Sequence, residues 1–573
     1  TVPGLSTGKG LDAASVGLDA QIIGDPGAAI SIASYGMTTI YGSISAPGGS
    51  ISLTVNSSTS GIGKSGPLYI GSESVLDVSG AAVINSLAAP VATDHGLVTP
   101  VTGQILAGGM ISLSDSPTAI LVAPGAIFNV SGASGAFDVA NFVPGGHFGS
   151  GEILLERQPV WSNAGEINIT AGAGLFFEGT LIGKGGADQA AGGTLSLSGG
   201  SNTNLFLVQD TAQAIRDVPG STFNFATFVP TPTGPNVKVD PKIDVTTLLF
   251  GADTLDGSGF DNLILSNSFG NIGFSGQVTL TLNNSVIINA GGLLATSQGN
   301  YSSTNISGPT LPTIGGVRTT ADASSHVAAL TVNAPYIAIN GSSGSGGSLP
   351  PLSGRTTAAD AMLTLNADQI DLSAIFYLQN IGQATFNSRG DIRLLPAQFI
   401  AQGTSLLGYL VSAGNLTFNA ADIYPATDTA FVIQSTGQSG TISFGYPVEG
   451  GPSTTIPLSA GGALLASATN ISQNGEIQAP FGQIILGTSN AANSIRNALG
   501  GVTNNLYLGA TNTQSVVLGS GSITSVSGNG MIIPFGNTLD QTTWLYNPQT
   551  TNPTWATNTT QSAFTTPLTR APQ

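Results

Sequence analysis

An all-β fold, a right-handed parallel β-helix with loop excursions and one or two short helices, is predicted for this 573-residue chain by three observations. A glycine-started phrase of alternating apolar and polar residues recurs along it. Small residues dominate, with 79 Gly, while charged residues are only 8 %, against about 25 % in ordinary globular domains. The remaining classes fit badly. Gly, Ser, Thr and Asn are too frequent for helical bundles, Gly has no three-residue period for collagen, and 41 % hydrophobic residues is too many for disorder.

The phrase is small-Gly-x-apolar-polar-apolar. Residues 1–200 carry it at Gly48-Gly49-Ser50-Ile51-Ser52-Leu53, Gly108-Gly109-Met110-Ile111-Ser112-Leu113, Ala164-Gly165-Glu166-Ile167-Asn168-Ile169 and Gly192-Gly193-Thr194-Leu195-Ser196-Leu197. It returns at Ala413-Gly414-Asn415-Leu416-Thr417-Phe418. Such a stretch reads as a bend followed by a strand with apolar residues inward and Ser, Thr or Asn outward. Residues 1–200 are therefore expected to be coils. Residues 201–245 are Pro-rich and are expected to leave the coils, with a short helix near Asp210–Arg216.

Coils are expected again over 246–535, interrupted by Ser/Gly/Pro-rich loops at 298–326 and 341–360. Here a second phrase, Leu-Thr-apolar-Asn-Ala-x-x-Ile, runs from Leu330 to Ile337, Leu363 to Ile370 and Leu416 to Ile423, with a looser copy from Leu280. Asn and Ser at equivalent corners are expected to stack as hydrogen-bonded ladders, and like charges stacked about 4.8 Å apart would repel. Ile484 is placed near the coil interior and Asn529 in a turn. Ser489–Leu499 could add a short helix. The turn phrase Val-Ser-Gly occurs at Val78, Val130 and Val526. From 536 to 573 alternation fades into Thr, Asn and Pro, and an extended tail is expected.

The charge of −17 and the absence of Lys after Lys242 argue against nucleic acid as a partner. No apolar run approaches the roughly 20 residues of a membrane-spanning helix. Residues 1–30 lack the pattern of a signal peptide. The chain has no Cys, which removes disulfides and thiolate chemistry together.

Several stretches resemble the filamentous haemagglutinin family of large exoproteins. They are Leu363–Ser373, Gly382–Leu394, Gly259–Leu263, Asn419–Thr427, Gly475–Ile484 and Thr524–Gly536, so the likeness covers roughly 245–573, with matching style before residue 200. The resemblance implies a long right-handed β-helix exported through an outer-membrane partner of the two-partner secretion type. It implies display at the cell surface of a Gram-negative bacterium, with roles in adhesion, biofilm or extracellular matrix. The chain departs from a complete member in lacking the signal sequence and the N-terminal secretion domain, and so reads as an internal segment. A chain exported unfolded is also better off without Cys.

No catalytic, cofactor-binding or metal-ligating residue is assigned, and no cofactor is expected. Asp368 and Asp371 flank Ile370, but other copies of that phrase carry Pro335 and Ala338 there, so solvated corner residues are the expected reading. Asp256-Gly257-Ser258-Gly259-Phe260-Asp261-Asn262-Leu263 resembles one calcium-binding nonapeptide, yet no second copy follows for sharing an ion. His95, His147 and His326 have no ligand-spaced neighbours. Gly4-Leu5-Ser6-Thr7-Gly8 matches a nucleophile elbow without a strand–turn–helix context. Trp544 and Trp555 are read as cover for an edge rather than sugar platforms. The expected function is thus a structural, non-enzymatic rod or fibre, with head-to-tail self-association into filaments as an expected contact. A carbohydrate-binding or polysaccharide-cleaving β-helix that engages a host or cell-surface glycan is the alternative.

Overall fold

The computed structural model describes residues 13–56, 66–93, 96–115, 118–143, 152–172, 174–200, 203–218, 223–228, 247–296, 328–341, 360–396, 407–427, 429–453, 456–488 and 512–528, with three short strands beyond. Ser489–Leu499, Asn529, the loop at 298–326 and nearly all of the loop at 341–360 lie outside these residues. The described chain is all-β, with 59 % strand and 3 % helix. Its one α-helix, Thr211–Asp217, is capped by the Asp210 side chain accepting from the backbone N–H of Gln213.

Parallel pairing dominates, and the strands form three columns that the chain visits in rotation. The first two belong to one 25-stranded sheet. Column one holds the four early glycine phrases in exact register: Ile51 pairs with Ile111, Ile111 with Ile167, and Ile167 with Leu195. Column two begins with Ala14–Val16, Thr38–Ile40, Leu68–Ile70 and Ala119–Val122, and ends at Gln483–Leu486. Column three is a 5-stranded sheet early in the chain and an 8-stranded sheet later. The fifth glycine phrase, at Leu416, lies in this later sheet and not in column one.

Alternation places the core as expected. In Ser50–Val55 the residues Ile51, Leu53 and Val55 are buried, and they join one cluster that continues from Val16 to Ile477. Column two departs from period two: Leu68–Ile70, Ala119–Val122 and Gly174–Phe177 are buried throughout. Near-continuous apolar runs of this kind are what strands covered on both faces require. Tyr69, Leu121, Phe176 and Leu249 point away from the main core and pack with Ile215, Phe223 and Phe228, on and after the helix.

The Leu-Thr-apolar-Asn phrases also stack, with Leu330 on Leu363, Leu363 on Ala384 and Ala384 on Leu416. The looser copy is displaced. Val278, not Leu280, pairs with Leu330, because the strand starts at Gln277. Each phrase runs through column three, turns at Asn-Ala and enters column one with its Ile. The inner side of column three stacks Phe386 on Phe418 and Phe418 on Phe444, with centroids 4.8 and 5.6 Å apart.

Within the Pro-rich stretch, Asn204–Val208 stays in column two, because Leu205 and Leu207 reach the core. The later strand Thr247–Gly251 is threaded back beneath it, pairing with Gly174–Phe177 on one side and Asn204–Val208 on the other. Antiparallel arms leave the column-three to column-one corner at Ala81–Leu106 and Ser134–Trp161. Ile484 is half-buried and packed against the core. In the stretch expected to be an extended tail, Gly536–Leu539, Thr543–Tyr546 and Thr566–Leu568 pair as a small antiparallel sheet.

Candidate functional site

Five column-one strands open with a triplet centred on Ile and led by a polar residue, and in four of them the third residue is polar too. These are Tyr336-Ile337-Ala338, Gln369-Ile370-Asp371, Asp391-Ile392-Arg393, Asp422-Ile423-Tyr424 and Glu476-Ile477-Gln478. Their isoleucines stack inward in sequence. Alternation therefore turns the flanking polar residues to the same outer face. Spacing between strands of about 4.8 Å then brings together side chains of stacked triplets that are up to 54 residues apart in sequence, as at Ile423 and Ile477.

One half of this face is internally satisfied. The Arg393 guanidinium donates to both oxygens of Asp371, Nε to Oδ1 at 2.7 Å and an Nη to Oδ2 at 2.6 Å. Tyr336 donates its hydroxyl to Asp371 Oδ2 at 2.8 Å and Gln369 donates to Oδ1 at 3.2 Å. Such bidentate, charge-assisted pairing fixes the orientation of both groups. Burial, then Asp371, pushes the Tyr336 hydroxyl up to about 12, while hydrogen bonding to Asp371 raises Arg393.

The other half is a row of three acids on adjacent column-one strands. Asp391 pairs with Asp422, and Ile423 pairs with Ile477, which sets Glu476 beside Asp422. Tyr424 donates weakly to Asp391 at 3.4 Å, and Gln478 donates to Glu476 at 2.6 Å. Asp422 is 1 % exposed, and its Oδ1 has no hydrogen-bond partner. Burial first, then the charges of Glu476 and Asp391, push its carboxyl up to about 8. Asp391 and Glu476 are raised as well, chiefly by burial.

The burial has a topological cause. After Thr441–Gly445 in column three the chain reaches Ala463–Ser467 in column two without forming a column-one strand. Column one closes the gap through the single pair Ile423–Ile477. The described residues of the skipped segment, 446–453 and 456–462, cross outside as a strap. Ser453 N–H donates to Ala421 O at 3.1 Å and to Glu476 Oε2 at 3.0 Å, and Ser459 Oγ donates to Pro425 O at 2.5 Å. A neutral Asp422 beside two further carboxyls has the makings of an acid–base pair. Beneath its cover, however, Asp422 is only 1 % exposed.

Asp371, flagged by its neighbour Ile370, enters this network, whereas Asp368 pairs with Arg389 outside it. In the calcium-like phrase, Asp261 accepts from the Gly192 N–H at 2.5 Å and from Asn283 at 3.0 Å, acting as a corner staple. Among the described residues no group of three His, Cys, Asp or Glu is placed to hold a metal ion. His95, His147, His326, Gly4–Gly8 and Trp555 lie outside the described residues, and Trp544 lies in the small antiparallel sheet. Sequence reasoning missed Asp391, Asp422 and Glu476. Their signal is an acid immediately before a stacking Ile, visible only once those isoleucines are aligned. No helix among the described residues is long and apolar enough to cross a membrane. Comparison with known proteins finds no matching family, no matching curated protein and no matching solved structure.

Proposed function

We propose that the chain is a right-handed parallel β-solenoid segment whose role is structural: a stiff rod that presents its corner excursions outside the cell. One observation carries this reading, the unbroken apolar interior running from Val16 to Ile477 between three registered strand columns. Each layer buries its inner apolar side chiefly against the layers above and below, which favours a rod. Column two stacks fourteen strands, counting the two halves of Phe260–Ser275 and Ser285–Thr296 once each, which at about 4.8 Å per layer makes a rod of roughly 65 Å. Placement at the surface of a Gram-negative bacterium, export by a two-partner system and a role in adhesion or biofilm rest on the resemblance of residues 245–573 to filamentous haemagglutinins.

Open strand edges support self-association. Among the described residues, Ala14–Val16, Gln21–Ile23 and Ala29–Ser34 pair on one side only, as do Gln483–Leu486, Ser515–Leu518 and Ile523–Ser525. Unpaired edges of this kind template further strands, and a head-to-tail contact does not close, so it yields filaments. Electron microscopy and sedimentation of the purified chain test the proposal. Rods that lengthen with protein and salt concentration are expected; compact globular particles would end it. The polysaccharide-cleaving alternative is favoured only by the acid row, and release of soluble sugar from pectin or alginate would revive it.

A further inference from the structure

At the strap over the acid row the chain leaves its columns to cover a buried ionisable group. We propose that the strap, residues 446–453 and 456–462, is a proton-gated latch, which seats on column one while Asp422 holds a proton and lifts when that proton leaves.

The charges around Asp422 carry the argument. From the strand on one side it faces Asp391, and from the strand on the other it faces Glu476. Its own strand supplies Tyr424, whose hydroxyl is turned to Asp391. The two cations on the neighbouring strand and its approach are engaged elsewhere: the Arg393 guanidinium is held by both oxygens of Asp371, and Arg389 pairs with Asp368. The described residues of the strap contribute Tyr446 and Glu449 and no cation. An ionised Asp422 would thus be a buried charge between two carboxylates, with one oxygen lacking any donor. A proton removes that cost without moving an atom. Opening the strap removes it by admitting water.

Beyond the Ser453 and Ser459 bonds, the strap is held near its ends by the Tyr446 hydroxyl donating to Gly521 O at 3.0 Å and Gly461 N–H donating to Pro480 O at 2.9 Å, so its middle can open locally. Pro447, Pro457 and Ser459 are buried, whereas Val448, Glu449 and Leu458 are exposed, and the strap contributes no strand to any column. The sign follows from linkage. With the strap closed the Asp422 carboxyl is pushed up to about 8, and in the open state it returns to about 4. Closure is therefore strongest below about pH 4. It weakens by up to about tenfold per pH unit between about 4 and 8, then levels off.

Hydrogen exchange on the whole chain, corrected for intrinsic rates, tests this through the backbone amide of Ser453. Its protection should fall at least tenfold between pH 6 and pH 8 and flatten above. Asp422→Asn, an isostere of the protonated acid, should abolish the fall and leave the strap closed across the range. Should that variant not fold, Asp391→Asn removes one facing charge and should end the fall at a lower pH. Three results would each overturn the latch: protection independent of pH in the natural chain, the same fall in Asp422→Asn or an unmoved window in Asp391→Asn, or protection that follows added calcium and is lost in EDTA.

Discussion

The same corner is built in two ways in the two halves of the molecule. Before residue 200 the passage from column three to column one is made by glycine. The carbonyl of Gly49 accepts from Met110 N–H and that of Gly109 from Glu166 N–H, both at 3.0 Å. Layers approach so closely there that a Cβ at Gly109 would overlap the carbonyl oxygen of Gly49, and one at Gly165 that of Gly109. After residue 280 the passage is made by asparagine. Asn366 donates to Asn333, Asn387 to Asn366 and Asn419 to Asn387, each at 2.8 Å. The ladder starts below on Thr281, 3.2 Å from Asn333. The glycine corner brings backbones together and leaves room for antiparallel arms to depart. From Asn333 to Asn419 the asparagine corner fills the same position with a side-chain hydrogen bond in each layer and carries no arm, and the strap departs one layer later, where Gly445 takes the position. A corner that must release an excursion is held by the absence of a side chain, and one that only turns is held by its presence.

The sharpest way to break the contrast is Gly109→Ala. Its new methyl meets backbone, which no rotamer change can relieve, so a loss of about 3 kcal/mol or more is expected in denaturant unfolding. A loss near that of an ordinary surface change would show that the glycine column is not sterically required.

Asp115 comes next. It ends a column-one strand, is fully buried, and accepts from Leu68 N–H at 3.0 Å, from Thr118 N–H at 2.7 Å and from the Thr118 hydroxyl. Asp115→Ala orphans two buried backbone donors and should cost about 2–4 kcal/mol. Burial nevertheless outweighs these bonds and pushes its carboxyl up to about 7. The native state therefore binds this proton more tightly than the unfolded chain. Its contribution to stability is greatest near pH 4 and declines as pH rises to about 7. The melting temperature should be higher at pH 5 than at pH 8, and Asp115→Asn should reduce that difference. Equal melting temperatures at the two pH values would count against the assignment.

Smaller effects belong to the second half. Asn387→Ala removes one bond above and one below while leaving the backbone ladder intact, so about 1–2 kcal/mol is expected. Smallest of all is Ser112→Ala, on the outer side of column one, which should change stability by less than about 0.5 kcal/mol. If calorimetry reversed the order of these two, the asparagine ladder would be ornament rather than support.

Much of this architecture is legible locally. The alternation in Ser50-Ile51-Ser52-Leu53 states which side chains face inward, and the recurrence of Asn333, Asn366 and Asn419 in one phrase anticipates their ladder. Asn387 belongs to that ladder too, although its strand reads Ala384-Thr385-Phe386-Asn387 and begins with Ala where the phrase has Leu. The helix after Asp210 is legible from its cap. Column two was not, because Leu68-Tyr69-Ile70 and Ala119-Ile120-Leu121-Val122 have no period to reveal a second covered face.

Composition and period by themselves determined that this chain would be all-β, poor in charge, and turned at Gly and Asn, since each follows from what one residue can do in one strand. Only the tertiary structure decided which layer meets which. Thr247–Gly251 slips beneath a strand that precedes it, and the described residues after Gly445 and before Ala463 form no column-one strand, so that Asp391, Asp422 and Glu476 become neighbours. Those outcomes depend on how far each excursion carries the chain before it returns. Loop closure costs little more for a long excursion than for a short one, so the free energy of the stacked layers, not the spacing between phrases, selects the partner of each strand.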